Sequence, residues 1–394
     1  MEGGYTARNV KPSAHLTGPQ GNIKKTDSTK NVACNNGAGD STEKNVKLST
    51  HPTEPQGKIK IFRERLRSEE PILYDGGFGS QLFARGIELA NSALANDLHP
   101  TAVIDVHSDY IEAGAEAIGT NTFVASPLHL EMAGQDLSDA KRLTRLAVQH
   151  AKTAIAQSGK DVYIAGSVGP SPGAIEADSG DTTFGIPNVD AREAHKLVIH
   201  TLAEEGVDFL CLETMFSAKE AAIAVDVARE TGIPIAVNMT YKWTKERRTG
   251  KIIYRTDWGN SPADLIDTLM NNELSNGDSL LESVSILGVN CGAESRRDEH
   301  TGMPYAIAGT QQLHTALTET GIAGKRMMAY PNAGMPKLDE NHQTVYTQTP
   351  AEMASHVPTL IETGAYLIGG CCGTTPAHIK AFREAIASYR STEA

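Results

Sequence analysis

The chain has 394 residues, with 36 Lys and Arg against 48 Asp and Glu, a formal net charge of −12 at pH 7. Hydrophobic residues make up 40% and charged residues 21%, enough apolar material for a sizeable core, which excludes wholesale disorder. The acidic balance, with no basic stripe, argues against nucleic acid as a partner, and no apolar run reaches the roughly 18 residues of a membrane span.

The N-terminus, Met1 to Tyr5, lacks the apolar stretch of a secretory signal. Five cysteines in so long a chain do not make a disulfide scaffold. The expected setting is a reducing, cytoplasmic compartment in which thiols are free for metal binding or catalysis.

Residues 1–60 differ from the rest. They hold a single aromatic, Tyr5, among many Lys, Asn, Ser, Thr, Gly and Pro residues. Such a segment buries too little apolar surface to offset its ordering entropy. It also repeats itself: Asn9-Val10-Lys11 returns as Asn45-Val46-Lys47, and Pro19-Gln20-Gly21 as Pro55-Gln56-Gly57. The expectation is a flexible N-terminal extension that arose by duplication, followed by one domain over residues 61–394.

From Ile61 onward short apolar runs alternate with longer amphipathic stretches. Eight runs read as strands: Ile72–Asp75, Ala117–Thr122, Val162–Val168, Phe209–Glu213, Ile235–Met239, Ser285–Cys291, Arg326–Tyr330 and Tyr366–Cys371. Apolar residues spaced for a helix lie between them, as in Leu143, Leu146, Ala147 and His150. Gly114, Gly206 and Gly364 each stand between a helical stretch and the next run, as a helix C-cap does. Eight β-then-α units predict an α/β fold, a (β/α)8 TIM barrel. The stretch Lys242–Glu282 is longer than a normal βα connection and carries both tryptophans, Trp243 and Trp258. It reads as a loop over the barrel mouth, either a lid or an excursion without consequence.

In such barrels the chemistry sits at the C-terminal ends of the strands. Those ends place Cys291, Cys371 and Cys372 at one face. Adjacent strand residues point to opposite sides, so Cys371 and Cys372 face one ion only where the backbone leaves strand geometry; Gly369, Gly370 and Gly373 supply that freedom. Three thiolates with an open fourth position describe a catalytic zinc site suited to a soft substrate sulfur. Packing, or a vicinal disulfide, is the competing reading. His107 and His378 are the available fourth ligands on helices. Cys211 lies two residues before Glu213, on the same strand face and deeper, and reads as core.

Asp75 and Glu213 are carboxylates at two strand ends. A pair of that kind holds an ammonium or moves protons. Backbone amides at Gly76 and Gly77 suit a carboxylate, and the combination describes an amino-acid site. The loop Gly373-Thr374-Thr375-Pro376 admits one more reading, a phosphate grip after strand 8, which would make the protein a barrel lyase or isomerase.

Two stretches resemble the zinc-binding signatures of the homocysteine S-methyltransferase family: Gly288-Val289-Asn290-Cys291, and Ile368-Gly369-Gly370-Cys371-Cys372-Gly373-Thr374-Thr375-Pro376. Asp75-Gly76-Gly77 and the run from Val207 to Glu213-Thr214 are similar to its strand-1 and strand-4 motifs. The resemblance spans Ile61 to Ala387. It implies a (β/α)8 barrel that binds Zn2+ through Cys291, Cys371 and Cys372. It implies contacts from Asp75 and Glu213 to the homocysteine amino group, with the Gly76 and Gly77 backbone near its carboxylate. Asn121 and Thr122, in the strand-2 stretch, would line the pocket.

The partners it implies are two small molecules, homocysteine and a methyl donor, and a homo-oligomer stays open. The implied reaction is methyl transfer to the homocysteine sulfur, giving methionine, with a sulfonium donor (S-methylmethionine or S-adenosylmethionine) favoured. Betaine, a methylcorrinoid protein, or a different thiol or selenol acceptor are the alternatives. Phe78, Phe123, Trp243 and Trp258 are the aromatics available to hold a cationic donor.

Overall fold

The computed structural model describes residues 55–271, 278–292, 297–340 and 344–393, so Cys34 and all of the duplicated segment but Pro55-Gln56-Gly57 lie outside the described residues. Eight parallel strands form one sheet: β1 (Ile72–Leu73), β2 (Ala117–Gly119), β3 (Tyr163–Val168), β4 (Phe209–Met215), β5 (Ile235–Met239), β6 (Val284–Cys291), β7 (Arg326–Pro331) and β8 (Ala365–Ile368). Their order is β1-β8-β7-β6-β5-β4-β3-β2. A parallel bridge between Tyr74 and Ala117 joins the two ends of this sheet, so it closes on itself. The expected (β/α)8 barrel is therefore the observed fold. Helices such as Pro100–Ala113, Asp139–Ser158, Asn188–Glu204 and Pro376–Glu393 lie between or after the strands. Gly114, Gly206 and Gly364 adopt positive φ at the helix ends, as their placement predicts.

Strand alternation sorts the side chains into two cores. On β4, Leu210 and Leu212 face the helices, while Phe209 and Cys211 point into the barrel. The interior pairs small residues with large ones: Ala117, Ala165 and Ala236 beside Tyr74, Phe209, Tyr330 and Tyr366. Cys211 is fully buried there, as its spacing from Glu213 predicts.

The helix Pro55–Arg65 begins six residues ahead of the expected domain boundary. Phe62 stacks on Phe209 at 4.5 Å and meets Tyr163 edge-on at 5.0 Å. Both partners are first residues of their strands, so Phe62 closes the barrel at its N-terminal end.

Three strands end two or three residues earlier than expected, while the other boundaries shift by at most two. β1 ends at Leu73, β2 at Gly119 and β8 at Ile368, ahead of Asp75, Thr122 and Cys371. The residues beyond keep single backbone hydrogen bonds to the neighbouring strands: the Thr120 N–H donates to the Ala165 carbonyl at 2.9 Å, and the Cys371 N–H to the Pro331 carbonyl at 2.8 Å. After β8 the backbone passes close to the end of β1, which requires a glycine: a Cβ on Gly369 would stand 2.6 Å from the Asp75 carbonyl oxygen. The described part of Lys242–Glu282 is also not a loose loop. It folds as an antiparallel hairpin, Lys242–Lys245 with Ile252–Arg255, followed by the helix Pro262–Met270, which a capping box from Ser261 and Asp264 starts. Among the described residues no helix is long and apolar enough to cross a membrane.

Candidate active site

Glu213 owes its position to a break in β4. The pairing of β4 with β5 slips between Leu212 and Met215, and Thr214 sits at φ 57°, in the left-handed region. Such a bulge re-aims a side chain at a strand end. Asn290 holds the strained residue with both ends of its amide. Its Oδ1 accepts from the Thr214 N–H at 2.8 Å, and its Nδ2 donates to Thr214 Oγ1 at 2.7 Å. Glu213 then faces the barrel mouth, where Ser167 Oγ donates to Oε1 and the Tyr330 hydroxyl donates to Oε2 at 3.3 Å.

Asp75 faces the same space and is almost fully buried. The Gly119 N–H donates to its Oδ2 at 2.8 Å. Burial holds the Asp75 carboxyl well above the usual carboxylate range, and the Glu213 charge adds to this. Burial likewise pushes Glu213 up to about 7, against the pull of Ser167 and Tyr330. A cation bound beside two carboxyl groups in this state would favour their ionised forms.

The three predicted thiols converge. Cys291, Cys371 and Cys372 place their sulfurs within 4.8 Å of one another, and the Cys371 and Cys372 sulfurs are 3.9 Å apart. Cys291 reaches this position at φ 59°, an uncommon conformation for a residue with a Cβ. The Asn332 amide donates to Cys291 Sγ at 3.6 Å. Contact with Cys291 and Cys372 keeps the Cys371 thiol well above its ordinary range, and Cys372 is pushed up to about 12, chiefly by Cys291. Three sulfurs so close hold their protons unless a cation joins them, and a metal ion reverses that balance. Cys211, Cys291, Cys371 and Cys372 are all free thiols, so no vicinal disulfide forms.

Among the described residues no fourth His, Cys, Asp or Glu completes this cluster. His378 bonds Thr375 and the Gln348 carbonyl through its two ring nitrogens. His107 is fully buried against the Phe78 ring, at 4.8 Å. The carboxylates and the thiols line one cavity of about 270 Å³.

The remaining predicted residues divide. Gly76 and Gly77 line the cavity, and close packing explains both: a Cβ on Gly76 would stand 2.7 Å from the Tyr110 ring, and one on Gly77 2.5 Å from the Cys371 carbonyl oxygen. The Gly77 N–H, however, already donates to Thr374 Oγ1 at 3.0 Å. Asn121 borders the cavity, but its amide donates to the Ser92 carbonyl and to Asn96 Oδ1. Thr122 is buried and donates to the Ser167 carbonyl at 2.6 Å. These two side chains hold the loop after β2 in place.

The phosphate reading of the loop after β8 fails on its hydrogen bonds. The Gly373 N–H donates to Ser80 Oγ, the Thr374 N–H to the Cys371 carbonyl and the Thr375 N–H to His378 Nδ1. No amide of that turn is left to grip an anion. Of the four aromatics, Phe78 and Phe123 line the cavity. Trp243 does not: it stacks on His300 at 4.8 Å and under the Arg297 guanidinium at 4.7 Å.

Sequence reasoning missed Ser167, Tyr330 and Tyr346. Tyr330 ends a predicted strand on the inward face, a signal that was present. Tyr346 comes from the hairpin Pro336–Leu338 with Thr344–Tyr346 and packs its ring against Gly373; burial and the Cys372 thiol raise its hydroxyl above the ordinary range. Nothing in the local sequence marks it.

The fold and the site define a (β/α)8 barrel with a three-thiol cluster and an adjoining acidic pair. The sequence pattern described as homocysteine S-methyltransferase matches residues 72–386. The chain is 28% identical over 335 residues to homocysteine S-methyltransferase 4 of Zea mays, covering 79% of this chain and 88% of that protein. It is 27% identical over 348 residues to homocysteine S-methyltransferase of Escherichia coli strain K12, covering 82% and 97%. The crystal structure of the metallated homocysteine methyltransferase MmuM from Escherichia coli superposes with a TM-score of 0.60 at 24% identity, over 82% of this chain and 99% of that one. The chain belongs to the homocysteine S-methyltransferase family and is an enzyme of that class.

Proposed function

We propose that this enzyme moves a methyl group from a sulfonium donor, S-methylmethionine or S-adenosylmethionine, to the sulfur of homocysteine, giving methionine. Zn2+ held by Cys291, Cys371 and Cys372 would be its metal, and a reducing cytoplasm, which keeps those thiols available, its setting. The observation that carries this reading is the cavity itself: three sulfurs and two carboxyl groups line one small space.

The thiols fit the metal. Zn–S bonds of about 2.3 Å at tetrahedral angles put sulfurs roughly 3.8 Å apart, and Cys371 and Cys372 stand at 3.9 Å. Zinc bound there supplies a cation that keeps an added substrate sulfur as thiolate at neutral pH. The chain's own residues do the rest. Asp75 and Glu213 accept the homocysteine ammonium, and its charge favours their ionised forms. Ser167 and Tyr330 keep Glu213 in one orientation. The Asn332 amide holds Cys291 by its sulfur. With the ammonium fixed on one side and the three thiols on the other, the homocysteine sulfur has one place to lie, and alignment supplies much of the rate.

The homocysteine thiol gives its proton to solvent on binding. Its sulfur electron pair then forms the new S–CH3 bond. The donor's S–CH3 bond breaks with its electron pair returning to the donor sulfur, which leaves as a neutral thioether. No proton moves at the methyl carbon, so no base is needed there.

The test is methionine formation from homocysteine with S-methylmethionine, S-adenosylmethionine and glycine betaine in parallel, before and after metal removal. Chelator-sensitive product with a sulfonium donor is expected. Product with glycine betaine alone would transfer the reading to a quaternary ammonium donor. No product with any donor from metal-loaded enzyme would overturn it.

A further inference from the structure

Glu213 and Cys291 belong to strands that are not neighbours: β5 lies between β4 and β6. Each is tied to a left-handed residue. Thr214, at φ 57°, follows Glu213, and Cys291 itself stands at φ 59°. A residue with a Cβ rarely adopts that conformation, a β-branched one least of all, and it persists only where its surroundings hold it. One side chain bears on both. The pairing of β5 with β6 ends at Met239 and Val289, so Asn290 is the first residue of β6 beyond it. From there its Oδ1 accepts from the Thr214 N–H at 2.8 Å and its Nδ2 donates to Thr214 Oγ1 at 2.7 Å. The next residue in the chain is Cys291.

The backbone around Cys291 is pinned on both sides. The Tyr305 hydroxyl donates to the Asn290 carbonyl at 3.2 Å, and the Asn332 N–H donates to the Cys291 carbonyl at 3.2 Å. The Gly292 N–H donates to Thr240 Oγ1 at 3.1 Å, and the Thr240 N–H to the carbonyl of Met215, the residue after Thr214, at 2.9 Å. Two hydrogen-bonded routes therefore join the Cys291 turn to the Glu213 bulge, and the Asn290 amide is the direct one. Glu213, Thr214 and Cys291 line the active-site cavity, whereas Asn290 is fully buried and does not. An amide is the group this place requires. A carboxylate would add a buried charge close to Glu213, and an apolar side chain would leave the Thr214 N–H without its acceptor.

We propose that Asn290 is the positioning residue that joins the acidic half and the thiol half of the site into one unit. Its amide holds Thr214 in the left-handed conformation that aims Glu213, and the same contact fixes the turn in which Cys291 meets the other two thiols. Loss of this one amide therefore weakens the grip on the amino group and the grip on the metal together, at two places on two strands. The assignment rests on the reading of Glu213 as the ammonium partner and of the three thiols as metal ligands. What it adds is the coupling between them.

The test uses the full chain and two binding measurements that need no turnover. Zinc affinity is read by competition with a chelator. Amino-acid affinity is read by calorimetry on zinc-loaded protein with L-norvaline, in which a methyl group replaces the homocysteine sulfur. In Asn290→Ala both affinities should fall about tenfold. Adding Thr214→Gly should restore most of the norvaline affinity, because glycine adopts the left-handed conformation unaided, while zinc affinity stays low. A side chain that only filled space would not be rescued in this way. Thr214→Val removes the Oγ1 contact alone and should lower both affinities about threefold, which keeps the test open if Asn290→Ala does not fold. Both affinities lost together in a protein that forms no methionine would keep the coupling and remove the methyl-transfer reading. Zinc affinity unchanged in both single variants, or norvaline binding that Thr214→Gly does not restore, would overturn the proposal.

Discussion

The two ends of the barrel are built on opposite principles. At the N-terminal end the backbone is regular and the contacts are apolar: Phe62 lies flat on Phe209, at an interplanar angle of 4°, and the Arg65 side chain ties Tyr366. At the C-terminal end the strands fray and bulge, and Thr214 and Cys291 are the two non-glycine residues at positive φ among the described residues. Buried acids and clustered thiols stand there without neutralising cations from the chain. One end contributes stability; the other holds strained residues and acidic groups that burial keeps from ionising until a cation joins them. Changes at each end should therefore separate cleanly into stability and activity.

The largest separation is expected at the thiols. Cys371→Ser should lower activity by far more than the roughly 10–100-fold typical of residues that only support a metal ligand, while thermal unfolding of the metal-free protein barely moves. Metal content and activity assays on one preparation check this. Glu213→Gln comes next. A hydrogen bond to a charged group is worth about 1.5–3 kcal/mol, so homocysteine KM should rise about 10- to 150-fold with donor KM unchanged. Phe62→Ala should do the reverse. Removing a fully buried aromatic costs about 3–5 kcal/mol, read from denaturant unfolding, with both KM values unchanged.

A further effect concerns pH. Burial holds His107 at about 3, against an ordinary value of 6.5. The unfolded chain takes up this proton below pH 6.5 and the folded chain does not. Stability should therefore fall as pH drops from 6.5 toward 3, by at most about 1.4 kcal/mol per pH unit from this group. His107→Phe should flatten that part of the unfolding profile.

Much of this contrast can be read from the sequence, for a physical reason. Strand alternation puts Phe209, Cys211 and Glu213 on one face, and apolar runs repeat eight times with glycine helix caps before three of them, so the barrel and its chemical end are local properties. The convergence of Cys371 and Cys372 follows from the glycines around them. What local pattern cannot carry is pairing between distant segments. The bidentate hold of Asn290 on Thr214, the Ser167 and Tyr330 bonds to Glu213, and the Tyr346 ring over Gly373 all depend on which loops meet. The same limit applies to Asn121 and Thr122: Asn121 borders the cavity, and the side chains of both bond neighbouring loops. It also makes Lys242–Glu282 look like a loop, because the hairpin within it is stabilised by burying Tyr254 against Tyr305 from another helix.

The central claim is that the three cysteines leave one metal position open for the substrate sulfur. X-ray absorption at the zinc edge of the loaded enzyme, with and without homocysteine, tests it most directly. The account predicts three sulfur neighbours at about 2.3 Å without substrate and four with it. An unchanged sulfur count on saturation with homocysteine would contradict it.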